Sequence, residues 1–268
     1  MKILVCVKQV PDTTQVKIDP VTNTLIREGV PAIVNTFDAF ALEAAARIKD
    51  KNPGTEIVVM SMGPENAKVA LRECMAIAAD RAYLVSGRPF GGSDTLATSY
   101  ILSNAVKVVE AKEGKFDAIF CGKQAIDGDT AQVGPELAEH LGYPQVTCAL
   151  EVLECDGSRL EILKEDQDAN QVIAVKMPCL VTFTKPSFDP RYPTIKRKMA
   201  ANRADIPTLG VEDLVGIDVT RIGLKGSPTH VKKSFVPMRK KDGLIIKEDT
   251  VEDSAAKLIS ILSDAHII

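Results

Sequence analysis

The chain of 268 residues contains no tryptophan, only three histidines and no Cys-x-x-Cys pair. His140, His230 and His266 lie far apart, without cysteine or paired carboxylates at ligand spacing, so a metal centre and histidine-based nucleophilic catalysis both lack their raw material. The six cysteines, at 6, 74, 121, 148, 155 and 179, are scattered, and four fall inside apolar segments where cysteine behaves as a small hydrophobe; this predicts a reducing, cytoplasmic setting. No apolar run approaches the roughly 20 residues that span a bilayer. The opening MKILVCVKQV turns polar too soon for a signal segment. A net charge of -3 disfavours nucleic acid and anionic membranes as partners. Also missing are the GxSxG, HExxH, GxGxxG and Walker patterns, so no side chain is singled out as catalytic and no metal site is expected.

What is present is an alternation. Short β-rich runs at Ile3–Val7, Glu56–Met60, Ala82–Val85 and Asp117–Cys121 are separated by helical patterns over about 38–50, 64–79, 94–111 and 130–141. Ala41, Leu42, Ala45, Ala46 and Ile48 place an apolar stripe on the first of these helices. Such alternation predicts an α/β fold with a mostly parallel sheet and flanking helices. After Tyr143-Pro144 the strands crowd together, at 145–153, 159–163, 171–175 and 179–184. The turn Cys155-Asp156-Gly157-Ser158 suggests that antiparallel strands finish the sheet.

From Pro186 onward proline, glycine and charge accumulate, which predicts a domain over 1–185 followed by an extended arm over 186–268. The arm ends in an amphipathic helix carrying Val251, Ala255, Leu258 and Leu262. Within it, Arg191-Tyr192-Pro193-Thr194-Ile195-Lys196-Arg197-Lys198-Met199 sets Ile195 and Met199 amid basic residues. An apolar anchor with a charged rim suits protein docking; the competing reading is a helical turn packed on its own core.

Two strand-to-helix turns can hold a ligand. In CGKQAIDGDTAQVGPELAEHLG, residues 121–142, Gly122, Gly128 and Gly134 let the backbone come close and Thr130 is the expected helix cap. Unused N–H groups at that helix start attract an anion such as pyrophosphate. In Phe90-Gly91-Gly92-Ser93-Asp94-Thr95-Leu96-Ala97-Thr98, Ser93 or Asp94 is a natural cap, while Thr95 and Thr98 share one helical face and can donate to a cofactor. Val7-Lys8-Gln9 and Met62-Gly63 end two other strands. Four loops therefore converge at the carboxyl edge of a parallel sheet, where such folds bind ligands.

These blocks carry a resemblance. Cys6-Val7-Lys8-Gln9-Val10-Pro11-Asp12, Asn35-Thr36-Phe37-Asp38 with the ALEAAARIKD that follows it, Ser61-Met62-Gly63-Pro64, Ala79-Asp80-Arg81-Ala82 and CGKQAIDGDTAQVG are similar, in order and spacing to about residue 203, to the beta subunit of electron-transfer flavoproteins. The match departs at Thr36, where that family carries proline, and at Lys164–Asn170, where it carries a glycine-rich acidic hairpin.

The resemblance implies a fold related to adenine-nucleotide α-hydrolase domains, paired with an alpha subunit that holds another FAD. It implies cofactor contacts at Cys6, Val7, Lys8, Asn35, Phe37, Asp38 and Met62, and along the loop at Gly122, Lys123, Gln124, Ala125, Asp127, Gly128, Asp129, Thr130, Ala131, Gln132 and Val133. It also puts Ile195 on the loop that recognises partner dehydrogenases, such as an acyl-CoA dehydrogenase. The stretch GGSDTLATS is similar to the electron-bifurcating type, placing Asp94, Thr95 and Thr98 beside an FAD that takes electrons from NADH and passes one to a ferredoxin or flavodoxin. The rival readings are a non-bifurcating subunit holding structural AMP and a stand-alone nucleotide-binding protein.

Overall fold

The computed structural model describes residues 1–12, 31–232 and 243–268; the parts of the expected domain and arm at 13–30 and 233–242 lie outside the described residues. Eleven strands occur among them: β1 Lys2–Cys6, β2 Gln9–Pro11, β3 Ala32–Val34, β4 Glu56–Met62, β5 Arg81–Val85, β6 Ala118–Gly122, β7 Gln145–Cys155, β8 Arg159–Lys164, β9 Gln171–Lys176, β10 Cys179–Phe183 and β11 Thr208–Leu209. The helices are α1 Thr36–Lys51, α2 Lys68–Ile77, α3 Thr95–Glu113, α4 Val133–Leu141, α5 Ile195–Arg203 and α6 Val251–Asp264. Nine strands form one sheet in the order β11-β5-β4-β1-β6-β10-β7-β8-β9, and β2 and β3 make a small antiparallel ribbon above it.

The sheet is parallel from β11 to β7, and its inner strands are apolar on both faces because helices cover both. Residue alternation sorts them. Ile3 and Val5 of β1 join Ala41, Leu42 and Ala45 of α1 and Leu71 of α2, whereas Leu4 and Cys6 join Ile101 and Val106 of α3 and Leu137 of α4. Phe120 and Phe183, on neighbouring β6 and β10, pack with ring centroids 4.9 Å apart.

Three expectations change. Residues 179–184 do not close an antiparallel meander: β10 runs parallel to both β6 and β7 and lies between them, leaving only β7-β8-β9 antiparallel. All five residues of CLVTF are buried, as an inner strand requires. The helix at 64–79 begins as a 3₁₀ turn, Glu65–Ala67, and becomes α-helical only at Lys68.

Residues beyond 186 also carry more structure than their composition suggested. Arg191 grips α1 through Glu43 (2.8 Å) and Asp50 (2.7 Å), and Arg197 donates to the free carbonyls of Met75 and Ala79 at the end of α2. That pins α5, after which β11 pairs with β5 as an edge strand. Ile206, Leu209, Leu214 and Ile222 are buried against the main body.

Candidate functional site

The topology creates one crevice. From β1 the chain runs outward through β4 and β5, then returns to the opposite side of β1 to form β6, so the loops after β1 and β6 leave in opposite directions. In parallel sheets that reversal point is where ligands enter.

Three side chains tie these loops together. Asp38, in the first turn of α1 and buried, accepts the N–H of Lys8 (2.6 Å) with one oxygen and that of Gly122 (3.0 Å) with the other. Burial pushes its carboxyl up to about 7, against the pull of the Lys8, Asn35 and Gly122 donors. Asn35, also buried, donates to Gln124 O (2.8 Å) and accepts from the Ile126 N–H (3.0 Å), so one amide satisfies two groups of the loop. The Lys8 ammonium reaches Asp127 (2.7 Å), and Gln124 reaches Asp129 (2.8 Å). The Lys123 N–H donates to Phe183 O (2.7 Å), anchoring the loop on β10 as well.

Two glycines are obligatory. A Cβ on Gly122 would lie 2.3 Å from an Asp38 oxygen, and one on Gly134 2.5 Å from the Thr182 methyl. Asp129 and Ala131 take left-handed backbone angles, φ 51° and 56°, which non-glycine residues adopt only under constraint. Strain of this kind gathers where a loop's shape is set by its task. The helix beyond opens without the expected cap: Thr130 does not cap α4, which starts after Gln132 with no side-chain bond to its first turn. Residues 129–132 turn too sharply for Thr130 to reach that turn. The N–H groups at the start of α4 are thus left for an external acceptor.

The second turn meets the first. Thr95 donates to Gln132 (3.0 Å), bringing the starts of α3 and α4 together, and Thr98 follows on the same face of α3. Beside them Glu136 Oε2 is buried without a hydrogen-bond partner among the described residues, an acceptor suited to a sugar hydroxyl. Asp94 does cap α3, accepting the Ala97 N–H (3.0 Å), and its other oxygen accepts the Thr229 N–H (2.9 Å). Burial pushes the Asp94 carboxyl up, but these donors outweigh it and hold it below its ordinary value. Ser227, buried, accepts the Asp94 N–H (2.8 Å). Sequence reasoning missed Glu136, Ser227 and Thr229; the last two lie more than 130 residues away along the chain, with no local signal linking them to the turn.

The other expected residues divide. Cys6, the last residue of β1, and Cys121, next to the last of β6, are in register, Val7 is buried with its N–H on Met60 O, Phe37 packs edge-on to Phe40, and Met62 ends β4. Ala125, Asp127, Gly128, Asp129 and Ala131 belong to the loop that follows β6, and Val133 opens α4. Ile195 and Met199 do not join them. They stand on α5, 81% and 55% exposed, beside the carboxyl end of α2 and so toward the opposite edge of the sheet. A groove of about 310 Å³ between α1, β7 and Phe188 is likewise remote from the crevice. No cluster of three metal-ligating His, Cys, Asp or Glu occurs among the described residues. No described helix is long and apolar enough to cross a membrane.

Comparison with known proteins gives a consistent set. Residues 22–214 match the model of the electron transfer flavoprotein domain. The chain is 49% identical over 257 residues to the electron transfer flavoprotein subunit beta of Megasphaera elsdenii, covering 95% of this chain and 94% of that one. It is 48% identical, over the full length of both, to the caffeyl-CoA reductase-Etf complex subunit CarD of Acetobacterium woodii. To the protein FixA of Azorhizobium caulinodans it is 42% identical over 239 residues, 88% of this chain and 85% of that one.

Proposed function

This chain belongs to the electron transfer flavoprotein family, on its beta-subunit side, and on that premise we propose that it is the NADH-facing subunit of an electron-bifurcating flavoprotein. The observation that carries the reading is the crevice at the β1/β6 reversal, with glycine-dependent loops and an uncapped helix start, joined through Thr95 and Gln132 to the GGSDT turn. One turn alone would suit a mononucleotide. Two joined turns give room and donors for a dinucleotide.

Bound there, FAD would accept a hydride from NADH and release its electrons singly, one toward a low-potential acceptor such as ferredoxin or flavodoxin, the other toward a flavin in an alpha subunit. The residues present fit such a group. The N–H groups at the start of α4 and the loop 123–132 would hold the pyrophosphate. Lys8, through its ion pair with Asp127, and Asn35 fix the loop so that its donors are oriented before the ligand arrives. Thr98 would donate to the flavin side and Thr95, whose proton is engaged with Gln132, would hold the two turns together, with Glu136 accepting from a hydroxyl. Asp94 acts by holding the turn in place, since both of its oxygens are already engaged. A site that positions a cofactor and excludes water needs no side-chain nucleophile.

The exposed Ile195 and Met199, in a basic surround fastened by Arg191 and Arg197, form the docking surface for a partner dehydrogenase. The name of the Acetobacterium relative, a subunit of a reductase complex, favours a partner of that class. The rival with a specific observation behind it is the AMP-holding subunit, because the first turn is complete without the second. Isolating the chain with its co-purifying subunit and counting nucleotides released by acid decides between them. Two FAD per heterodimer are expected. One FAD with one AMP removes the bifurcating reading, and no adenine nucleotide in this subunit removes both.

A further inference from the structure

We propose that Asp38 is the positioning residue of the crevice: its ionised carboxylate clasps the end of β1 to the end of β6, and the affinity for an adenine nucleotide depends on that clasp. The proposal rests on the nucleotide reading above, but its geometry stands independently. Asp38 is 6% exposed, and each of its oxygens is already engaged by a backbone N–H. Its two oxygens take two backbone donors from different strands, Lys8 N at 2.6 Å and Gly122 N at 3.0 Å. Lys8 lies just after β1 and Gly122 is the last residue of β6, where the two loops that bound the crevice begin. Gly122 has no room for a side chain because the carboxylate occupies it. The residue therefore acts on a ligand through the loops it holds rather than by touching it.

A carboxylate can accept two short bonds at once; a neutral carboxyl keeps one good acceptor and turns its other oxygen into a donor. Neutralising Asp38 would leave one buried N–H poorly satisfied and free one loop from the other. The titratable groups around it are Lys8 at the end of β1, whose ammonium is engaged with Asp127, Cys121 on β6 and Cys74 on α2. Burial pushes the Cys74 thiol up, and the Cys121 thiol is raised first by its hydrogen bond with Cys6 and then by burial, so neither adds charge near neutrality. With Asp38 itself raised to about 7, the clasp opens and closes within the physiological range.

The test uses the full-length chain with its co-purifying subunit, stripped of nucleotide, and AMP as the probe. Asp38→Asn cannot accept the second bond at any pH, so it should bind AMP about tenfold more weakly than the native protein at pH 8.5, and nearly equally at pH 6. The ratio of the two dissociation constants cancels the titration of AMP itself. A ratio that stays the same from pH 6 to 8.5, or a variant that binds like the native protein at pH 8.5, overturns the proposal.

Hydrogen exchange of the Lys8 and Gly122 amides in the native protein gives a second measurement, needed if the variant does not fold. Their protection should fall about fivefold or more between pH 8.5 and 6, corresponding to the loss of one charge-assisted bond. Unchanged protection refutes the clasp. Absence of AMP binding by the native protein would instead refute the nucleotide reading, leaving the exchange data to judge the clasp alone.

Discussion

The two ends of the same parallel strands are built by opposite rules. At the amino edge charges are matched and static. Glu56 lies 2.8 Å from Arg81 and 3.3 Å from Lys2, Glu113 lies 2.8 Å from Arg81 and accepts the Tyr83 hydroxyl at 2.6 Å, and Asp117 takes the Lys2 N–H at 2.7 Å. Burial and the Glu113 carboxylate push the Tyr83 hydroxyl up to about 12, which keeps it a neutral donor. At the carboxyl edge a carboxyl is buried between backbone donors, two non-glycine residues are left-handed, and a helix begins uncapped. A strand end that only has to be stable pairs its charged side chains with one another. One that has to hold something leaves donors open and is kept in shape by strain and by residues that do not face the ligand.

The contrast can be broken most forcefully at Gly122. Gly122→Val drives a side chain into Asp38 and Phe37 and should cost about 1–3 kcal/mol of stability and abolish nucleotide retention, read by chemical denaturation and by the nucleotide content of the purified protein. A stable variant that keeps its nucleotide would show that the clasped geometry is not required.

The pH dependence of unfolding sharpens the comparison next. A carboxyl raised in the fold keeps a proton that the unfolded chain has already lost, so the stability contributed by Asp38 is full below about pH 4 and declines as pH rises to about 7. Asp38→Asn has no proton to lose. Its melting temperature relative to the native protein should climb between pH 4 and 7 and level off above; a flat difference would mean that Asp38 titrates normally in the fold.

At the amino edge, Glu113→Gln should destabilise by about 1–2 kcal/mol while leaving nucleotide affinity unchanged, because the crevice is roughly 15 Å away along β1. A matched loss of affinity in titration calorimetry would erase the distinction between the edges. The smallest effect belongs to the caps. Asp94→Ala loses a real one and should cost about 1 kcal/mol, whereas Thr130→Ala should stay within ~0.5 kcal/mol in denaturant unfolding.

Much of this was legible in the residues themselves. Runs such as ILVCV and AIFCG, apolar throughout and followed by polar turns, announce inner parallel strands, and the helices between them are long and regularly striped. The crevice could be located because strand ends and helix starts are marked by glycine, hydroxyl and acidic residues. What could not be read was pairing across distance. CLVTF gives no sign that it inserts between β6 and β7, since a buried strand reads alike whichever neighbour it has. Nothing local tells that Thr229 closes on Asp94, or that Arg197 reaches a carbonyl 118 residues earlier, just past the end of α2. The expectation for Thr130 failed for another reason: it was read from spacing, and the left-handed residues on either side of it bend the chain out of capping range.

The insertion of β10 has a consequence for synthesis. On a chain emerging from the ribosome amino end first, β6 stays bare on one flank until Phe183 has cleared the exit, and only then does Lys123 find the carbonyl that fastens it. The loop after β6 therefore gains its anchor on the sheet only when nearly all of the first 185 residues are out, although the side chains that shape it are made long before.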